Sequence, residues 1–337
     1  MSRRVGPPPS AIDPFVAAVT RFRDDLIQLL PGTDAPLLLA VSGGADSMAM
    51  LALAHAAALP GGIAAATVDH RLRAEAAEEA AVVADYCAAL RVPHATLTPT
   101  TRIEGASIQA QARAARYALL ADHARGIGAG GIATAHHIDD QAETFLMRAA
   151  RGSGLAGLAG VRPATEIAGV RVVRPLLDWR RAELRAIVRR REIPFAEDPS
   201  NRDPAHDRTR YRRLLDAHEW LGPSQIARSA AALAEVDTDV RAMIEWVWHD
   251  RARVNGAMVD IAVTGLPREL LRRLARRGVM TARGAAGIAD PGFSDAANVE
   301  PLLDALAAGR RASQSGILVT PHGDRWRFRP APPRRSH

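Results

Sequence analysis

The sequence predicts an α/β fold: a Rossmann-like parallel sheet with helices on both faces, followed by a smaller, mainly helical C-terminal domain. Three observations carry this. Short apolar runs alternate with helix-length segments between residues 37 and 150, as they do where crossover helices join parallel strands. A glycine-containing turn joins the first of these strands to its helix. Beyond Arg151 the alternation stops, and a glycine-rich loop, an arginine-rich helix and long helical stretches follow.

The elements follow in order. Asp13-Pro14 reads as a helix N-cap with proline in the first turn, opening a helix over 15–30 that Pro31-Gly32 ends. Residues 37–41 form an apolar run of buried-strand length. Residues 42–47 turn the chain into a helix that reaches about residue 59. A strand at 63–68, a helix at 74–90, a weaker strand at 95–97 and a helix at 107–125 continue the alternation. A strand at 132–135 and a helix at 139–150 close it. Residues 151–160 hold four glycines and read as a loop. An arginine-rich helix at 180–191 and a polar turn region at 198–207 follow, then helices at 224–249, 267–277 and 298–309. Residues 316–328 read as a hairpin around His322-Gly323-Asp324. Four segments result: a disordered lead-in over 1–13, an α/β domain over 14–215, a helical domain over 216–329 and a disordered tail over 330–337.

Composition narrows the chemistry. With 337 residues, 47% apolar and 24% charged, the chain has ample material for a core and is not a disordered polymer. No apolar run approaches the ~18 residues of a membrane span, and the N-terminal segment lacks the apolar core of a signal peptide. A cytoplasmic protein with no membrane partner is expected. Cys87 is the single cysteine, so an internal disulfide or a cysteine metal cluster is excluded, and a core role is expected for it. All 44 basic residues are arginine. Schiff-base chemistry and lysine-dependent phosphate loops are therefore excluded. The net charge of +7 is uneven: residues 171–213 carry 13 arginines against seven acidic residues. Clustered arginine fits a phosphate-rich partner, and equally a solvated helix face.

Ser42-Gly43-Gly44-Ala45-Asp46-Ser47 is the most informative segment. A strand-to-helix turn points backbone N–H groups and the helix dipole at an anion. The glycines let the backbone approach phosphates closely, and both serines add hydroxyls. Asp46 repels phosphate unless a cation such as Mg²⁺ lies between them. The turn resembles the Ser-Gly-Gly-x-Asp-Ser signature of the ATP pyrophosphatase superfamily, which has the adenine nucleotide alpha hydrolase-like fold. That resemblance implies cleavage of ATP between its α and β phosphates.

A second constellation chooses a branch. The segment from Thr134 through His136-His137-Ile138-Asp139-Asp140 to Glu143-Thr144 runs from a strand end into a helix. Asp140 and Glu143, three apart, share one helix face and would suit a cationic ligand; the alternative is complementarity to the helix dipole. The paired histidines lack a third metal ligand at convincing spacing. This run, with Arg148 and Arg151-Gly152-Ser153-Gly154-Leu155, resembles the tRNA(Ile)-lysidine synthase family. Val68-Asp69-His70, Ala112-Arg113-x-x-Arg116-Tyr117, Arg174-Pro175-Leu176-Leu177 and Glu197-Asp198-Pro199-Ser200-Asn201 match in order over residues 40–215. Thr209 stands where the family usually carries Asn.

The resemblance implies that ATP adenylates the wobble cytosine 2-oxygen of the CAU-anticodon isoleucine tRNA, releasing pyrophosphate. The ε-amine of free L-lysine then displaces AMP. It implies that Ser42, Gly43, Gly44, Ala45, Asp46 and Ser47 bind ATP, that Asp46 holds Mg²⁺ and that Arg113 contacts ATP or the adenylate. Asp140 and Glu143 would hold lysine, and Arg208, Arg210 and Arg212 would grip tRNA phosphates. The helical domain would recognise tRNA or pair two copies into a homodimer. A thiolase of the same superfamily needs more cysteines than one, and a bare RNA-binding protein does not need the complete loop.

Overall fold

The computed structural model describes residues 13–32, 34–71, 75–101, 104–105, 108–197 and 207–332. The lead-in expected over 1–13 lies outside them except for Asp13, as do residues 198–206 of the expected polar turn region and the tail beyond 332. The chain divides into two compact units, Met1–Ala234 and Glu235–His337.

The first unit runs α1 (Pro14–Leu29), β1 (Leu37–Ala40), α2 (Ala45–Ala56), β2 (Ile63–Val68), α3 (Glu75–Leu90), β3 (His94–Leu97), α4 (Ile108–Gly126), β4 (Gly131–Thr134) and α5 (Ile138–Ala150). It continues through α6 (Leu155–Leu158), β5 (Ala164–Ile167), β6 (Val170–Val173), α7 (Arg181–Arg190) and α8 (Asp207–Ala217) into α9 (Pro223–Arg251), which crosses the unit boundary. The sheet order is β3-β2-β1-β4-β6-β5, parallel except for the edge strand β5. Asp13 caps α1 as expected, accepting the Phe15 N–H at 2.9 Å.

Side-chain alternation on β1 builds two cores. Leu37 and Leu39 join Phe22 and Leu26 of α1, the apolar body of α2, and Val83 and Cys87 of α3. Leu38 joins Leu120, Ala121 and Ala124 of α4 with Ile132 and Val172 on the other face. Cys87 is fully buried, and burial pushes its thiol up to about 11.

The β5–β6 hairpin was not expected. Its turn residues Ala168 and Gly169 both have positive φ, 50° and 73°. Such turns are usually announced by Asn-Gly or Asp-Gly, and alanine here conceals the signal.

The second unit keeps the helices expected there and adds a sheet of which only one hairpin was expected. It holds the antiparallel sheet β7-β8-β11-β10-β9, formed by β7 (Ala252–Asn255), β8 (Met258–Ala262), β9 (Ala312–Gln314), β10 (Ile317–His322) and β11 (Arg325–Pro330). Helices α10 (Arg268–Ala285) and α11 (Glu300–Ala307) join the same core through Leu274, Val279, Leu302 and Leu306, which meets Val259, Ile261 and Phe328 of the sheet. The expected hairpin is β10–β11, closed by His322 opposite Arg325. The other strands are three to five residues long, and β7 directly follows the 29-residue α9, so their short period is masked by helical periodicity. Gly278 lets α10 reach the sheet, since a Cβ there would lie 2.8 Å from the Phe328 ring. Among the described residues no helix is long and apolar enough to cross a membrane.

Candidate active site

β1 lies between β2 and β4, and both pairings are parallel. The chain passes from β1 to β2 on one side, while β4 leads to β6 on the other. The strand order therefore reverses between β1 and β4, and the carboxyl ends of these strands border the crevice where open α/β sheets bind ligands. Ala40 pairs with Thr134, so the 42–47 turn and the 135–138 segment leave the sheet side by side.

The turn is braced from within. Gly43 has φ 86°, and a Cβ there would approach the Glu79 carbonyl oxygen to 3.2 Å. The Ala196 N–H donates to the Gly43 carbonyl at 2.9 Å, tying the turn to the segment after α7. Ser47 Oγ donates to the Gly44 carbonyl at 2.9 Å and accepts the Ser42 N–H at 3.1 Å. Ser42 Oγ lies 3.3 Å from Ser47 Oγ. Both hydroxyls, expected to bind ATP, also brace the turn. Gly44 provides no side-chain cap to the first N–H groups of α2, the kind of helix start at which anions bind.

Asp46 projects from this first turn of α2. Its Oδ1 is buried without a hydrogen-bond partner, and its Oδ2 lies 3.4 Å from His137 Nε2. His137 is the N-cap of α5: its Nδ1 accepts the Asp140 N–H at 3.3 Å, while Asp140 Oδ2 accepts the His137 N–H at 3.1 Å. The same Asp140 oxygen lies 3.4 Å from His137 Nε2. Burial opposes a charged His137 ring, but the Asp46 hydrogen bond and the carboxylates of Asp140, Asp46 and Asp139 outweigh it and raise its pKa. Burial likewise opposes ionisation of Asp140; the charges of His137, Arg208 and His136 prevail and hold its pKa below the ordinary value. Burial pushes the neighbouring His136 down to about 4.

Glu143 follows one turn later with 1% of its side chain exposed. It accepts Arg212 Nε at 2.8 Å and faces Arg208 Nε at 3.2 Å, both from α8, which packs on α5. Burial raises its pKa despite Arg212. Asp139, whose Oδ2 lies 3.7 Å from His137 Nδ1, makes its hydrogen bonds to Arg180 Nη2 at 3.1 Å and the Arg181 N–H at 2.8 Å, fastening α7 to α5.

The expected arginine trio therefore divides. Arg212 is 17% exposed and bound to Glu143. Arg208 shares that contact with 47% exposure, and Arg210 is exposed. The spacing of Arg208 and Arg212 by four residues was the available signal, since it puts them on one helix face and Arg210 on another. Arg113 is exposed on α4 with its guanidinium 5.0 Å from the Tyr117 ring centre; burial lowers the pKa of His136, Arg148 and Arg174, and the Arg113 charge adds to that. At the end of β2, Asp69 accepts the Arg71 N–H at 2.7 Å, and both His70 ring nitrogens are buried without partners. Among the described residues, no group of three His, Cys, Asp or Glu side chains is arranged to hold a metal ion unaided.

Comparison with known proteins gives the family and the fold. Residues 19–218 match the PP-loop domain family. The tRNA(Ile)-lysidine synthase of Novosphingobium aromaticivorans is 42% identical over 325 residues, covering 95% of each chain. That of Zymomonas mobilis is 41% identical over 306 residues, covering 88% of this chain and 89% of its own. The U34-tRNA thiolase NcsA of Methanococcus maripaludis superposes with TM-score 0.53 at 17% identity, over 66% of this chain and 79% of that one, a likeness of fold.

Proposed function

The chain belongs to the tRNA(Ile)-lysidine synthase family, and from that membership we propose how its site makes lysidine. It is an ATP-dependent ligase acting on the wobble cytidine of tRNA(Ile). The roles below are our reading of its residues.

The 42–47 turn cradles the phosphates of ATP through backbone N–H groups, at the positive end of α2. Asp46 fits a divalent cation: a buried carboxylate oxygen without a donor is the ligand a hard cation takes. Mg²⁺ held there would neutralise charge on the departing pyrophosphate. Arg113 supplies a second positive charge for the phosphates.

The cytosine 2-oxygen attacks the α-phosphorus, the bond to the bridging oxygen breaks, and pyrophosphate leaves. The neutral ε-amine of free L-lysine then attacks cytosine C2, the C2–O bond breaks, and AMP departs. Asp140 and Glu143, on one face of α5, orient the lysine. Arg212 helps keep the buried Glu143 ionised and so able to accept from an amine. Arg208 and Arg210 meet tRNA phosphates beside the site. The second unit extends recognition along the tRNA or pairs two copies, and the substrates assign the protein to the cytoplasm.

The observation that carries this reading is the Asp46–His137–Asp140 junction, with both carboxylates 3.4 Å from His137 Nε2. It joins the phosphate turn to the acidic pair across the switch point. Incubation with CAU-anticodon tRNA(Ile), ATP and lysine, followed by nucleoside mass analysis, should convert cytidine to lysidine with one AMP and one pyrophosphate per product. Unmodified cytidine in the complete mixture would overturn it.

A further inference from the structure

We propose that Trp220 is a stacking platform for an unpaired base of the anticodon loop, near the nucleotide being modified. This rests on tRNA being the substrate.

Trp220 is 77% exposed, the highest exposure among the large hydrophobic side chains described. It is also firmly presented. The Leu221 N–H donates to the His218 carbonyl at 2.9 Å, and the His218 N–H to that of Leu215 at 3.4 Å. Leu215 is buried, and the His218 ring lies 5.3 Å from the indole, tilted by 45°. The indole is therefore carried outward on a bonded turn.

That turn continues α8, whose Arg208 and Arg212 reach Glu143 in the same unit. From Arg212 to Trp220 the chain covers on the order of 10–15 Å at helical rise. A few nucleotides, each ~3.4 Å or more along a strand, span that distance.

Charge selects a base as the occupant. Asp216 and Glu219, both exposed and just ahead of Trp220 in the chain, disfavour a phosphate at this turn, while Arg210, farther back on α8, is exposed to meet the backbone. The wobble nucleotide lies in a single-stranded loop. Proteins read such loops by stacking unstacked bases on aromatic rings, an interaction tolerant of which base is offered.

The test uses the full chain, an anticodon stem-loop RNA of tRNA(Ile) and a duplex of the stem alone. Trp220→Ala should weaken stem-loop binding by roughly 5- to 150-fold. Trp220→Phe should recover most of that loss. Duplex binding should not change, and the salt slope of Trp220→Ala should match the wild type, because stacking releases no counterions. Stem-loop affinity in Trp220→Ala equal to the wild type would overturn the proposal. So would an equal loss on the duplex, or a shift in oligomeric mass with RNA binding intact, which would make the ring a contact between copies. A wild-type chain that binds the stem-loop, loses that binding in Trp220→Ala and forms no lysidine would uphold the stacking and defeat the functional reading instead.

Discussion

Replacing Arg212 with alanine should be more damaging than replacing its partner Glu143 with glutamine. The Glu143 side chain is 1% exposed and its short contact is to Arg212 Nε at 2.8 Å. Removing one member of a buried ion pair costs about 3–5 kcal/mol, because the remaining charge is left without water or counter-charge. Arg208 Nε stays 3.2 Å from the other oxygen, but its half-exposed side chain recovers only part of that. A loss of about 2–3 kcal/mol is expected for Arg212→Ala. In Glu143→Gln the amide oxygen still accepts from Arg212, whose edge reaches water, and the loss should be about 1 kcal/mol. The double variant should be less unstable than Arg212→Ala alone, since no buried charge remains.

The pH dependence has a definite sign. Burial raises the Glu143 pKa in the folded chain above its ordinary value of 4.5, and Arg212 opposes the rise. Without Arg212 it rises further. A group with a raised folded-state pKa contributes stability that is fully present below its unfolded value and is lost as pH rises through the folded one. The Arg212→Ala deficit should therefore shrink as pH falls from 7.5 toward 5. Urea titration read by hydrogen exchange of α5 and α8 amides isolates this region from the second unit. A Glu143→Gln loss equal to or above that of Arg212→Ala, or a deficit flat with pH, would refute a buried charge at Glu143.

Other outcomes follow from the site. Asp46→Ala should slow tRNA-dependent pyrophosphate release on the order of 100-fold or more, and stoichiometric ADP from the wild type would contradict the reaction itself. Asp140→Asn and Glu143→Gln should raise the lysine requirement roughly 10- to 150-fold; adenylated tRNA, trapped without lysine, should still form. If both fail at adenylation with lysine binding intact, the carboxylates serve ATP. Arg208→Ala with Arg210→Ala should flatten the salt dependence of tRNA binding by about 0.7–0.9 for each phosphate left without its arginine. An unchanged slope would mark α8 as a merely solvated face.

Much of this was legible in the residues alone because it is local. The parallel strands announce themselves by length and composition, and β2 (Ile63–Val68) was bounded to the residue. The 42–47 turn depends on backbone geometry at Gly43 and Gly44, which sequence states directly. Family motifs carried the chemistry, and the absence of lysine and of a second cysteine removed whole reaction classes. Tertiary structure decided the rest. Arg212 and Glu143 are 69 residues apart, and nothing in either segment names the other; the packing of α8 on α5 makes them partners. His137 reads in sequence as one of a pair of histidines, yet the pairing of β1 with β4 sets its ring against Asp46. The β5–β6 turn and the second sheet were hidden because alanine occupies a left-handed position and short strands abut a long helix. Local propensity is written residue by residue, but a charge's partner depends on which elements dock, and docking is settled only when the whole core closes.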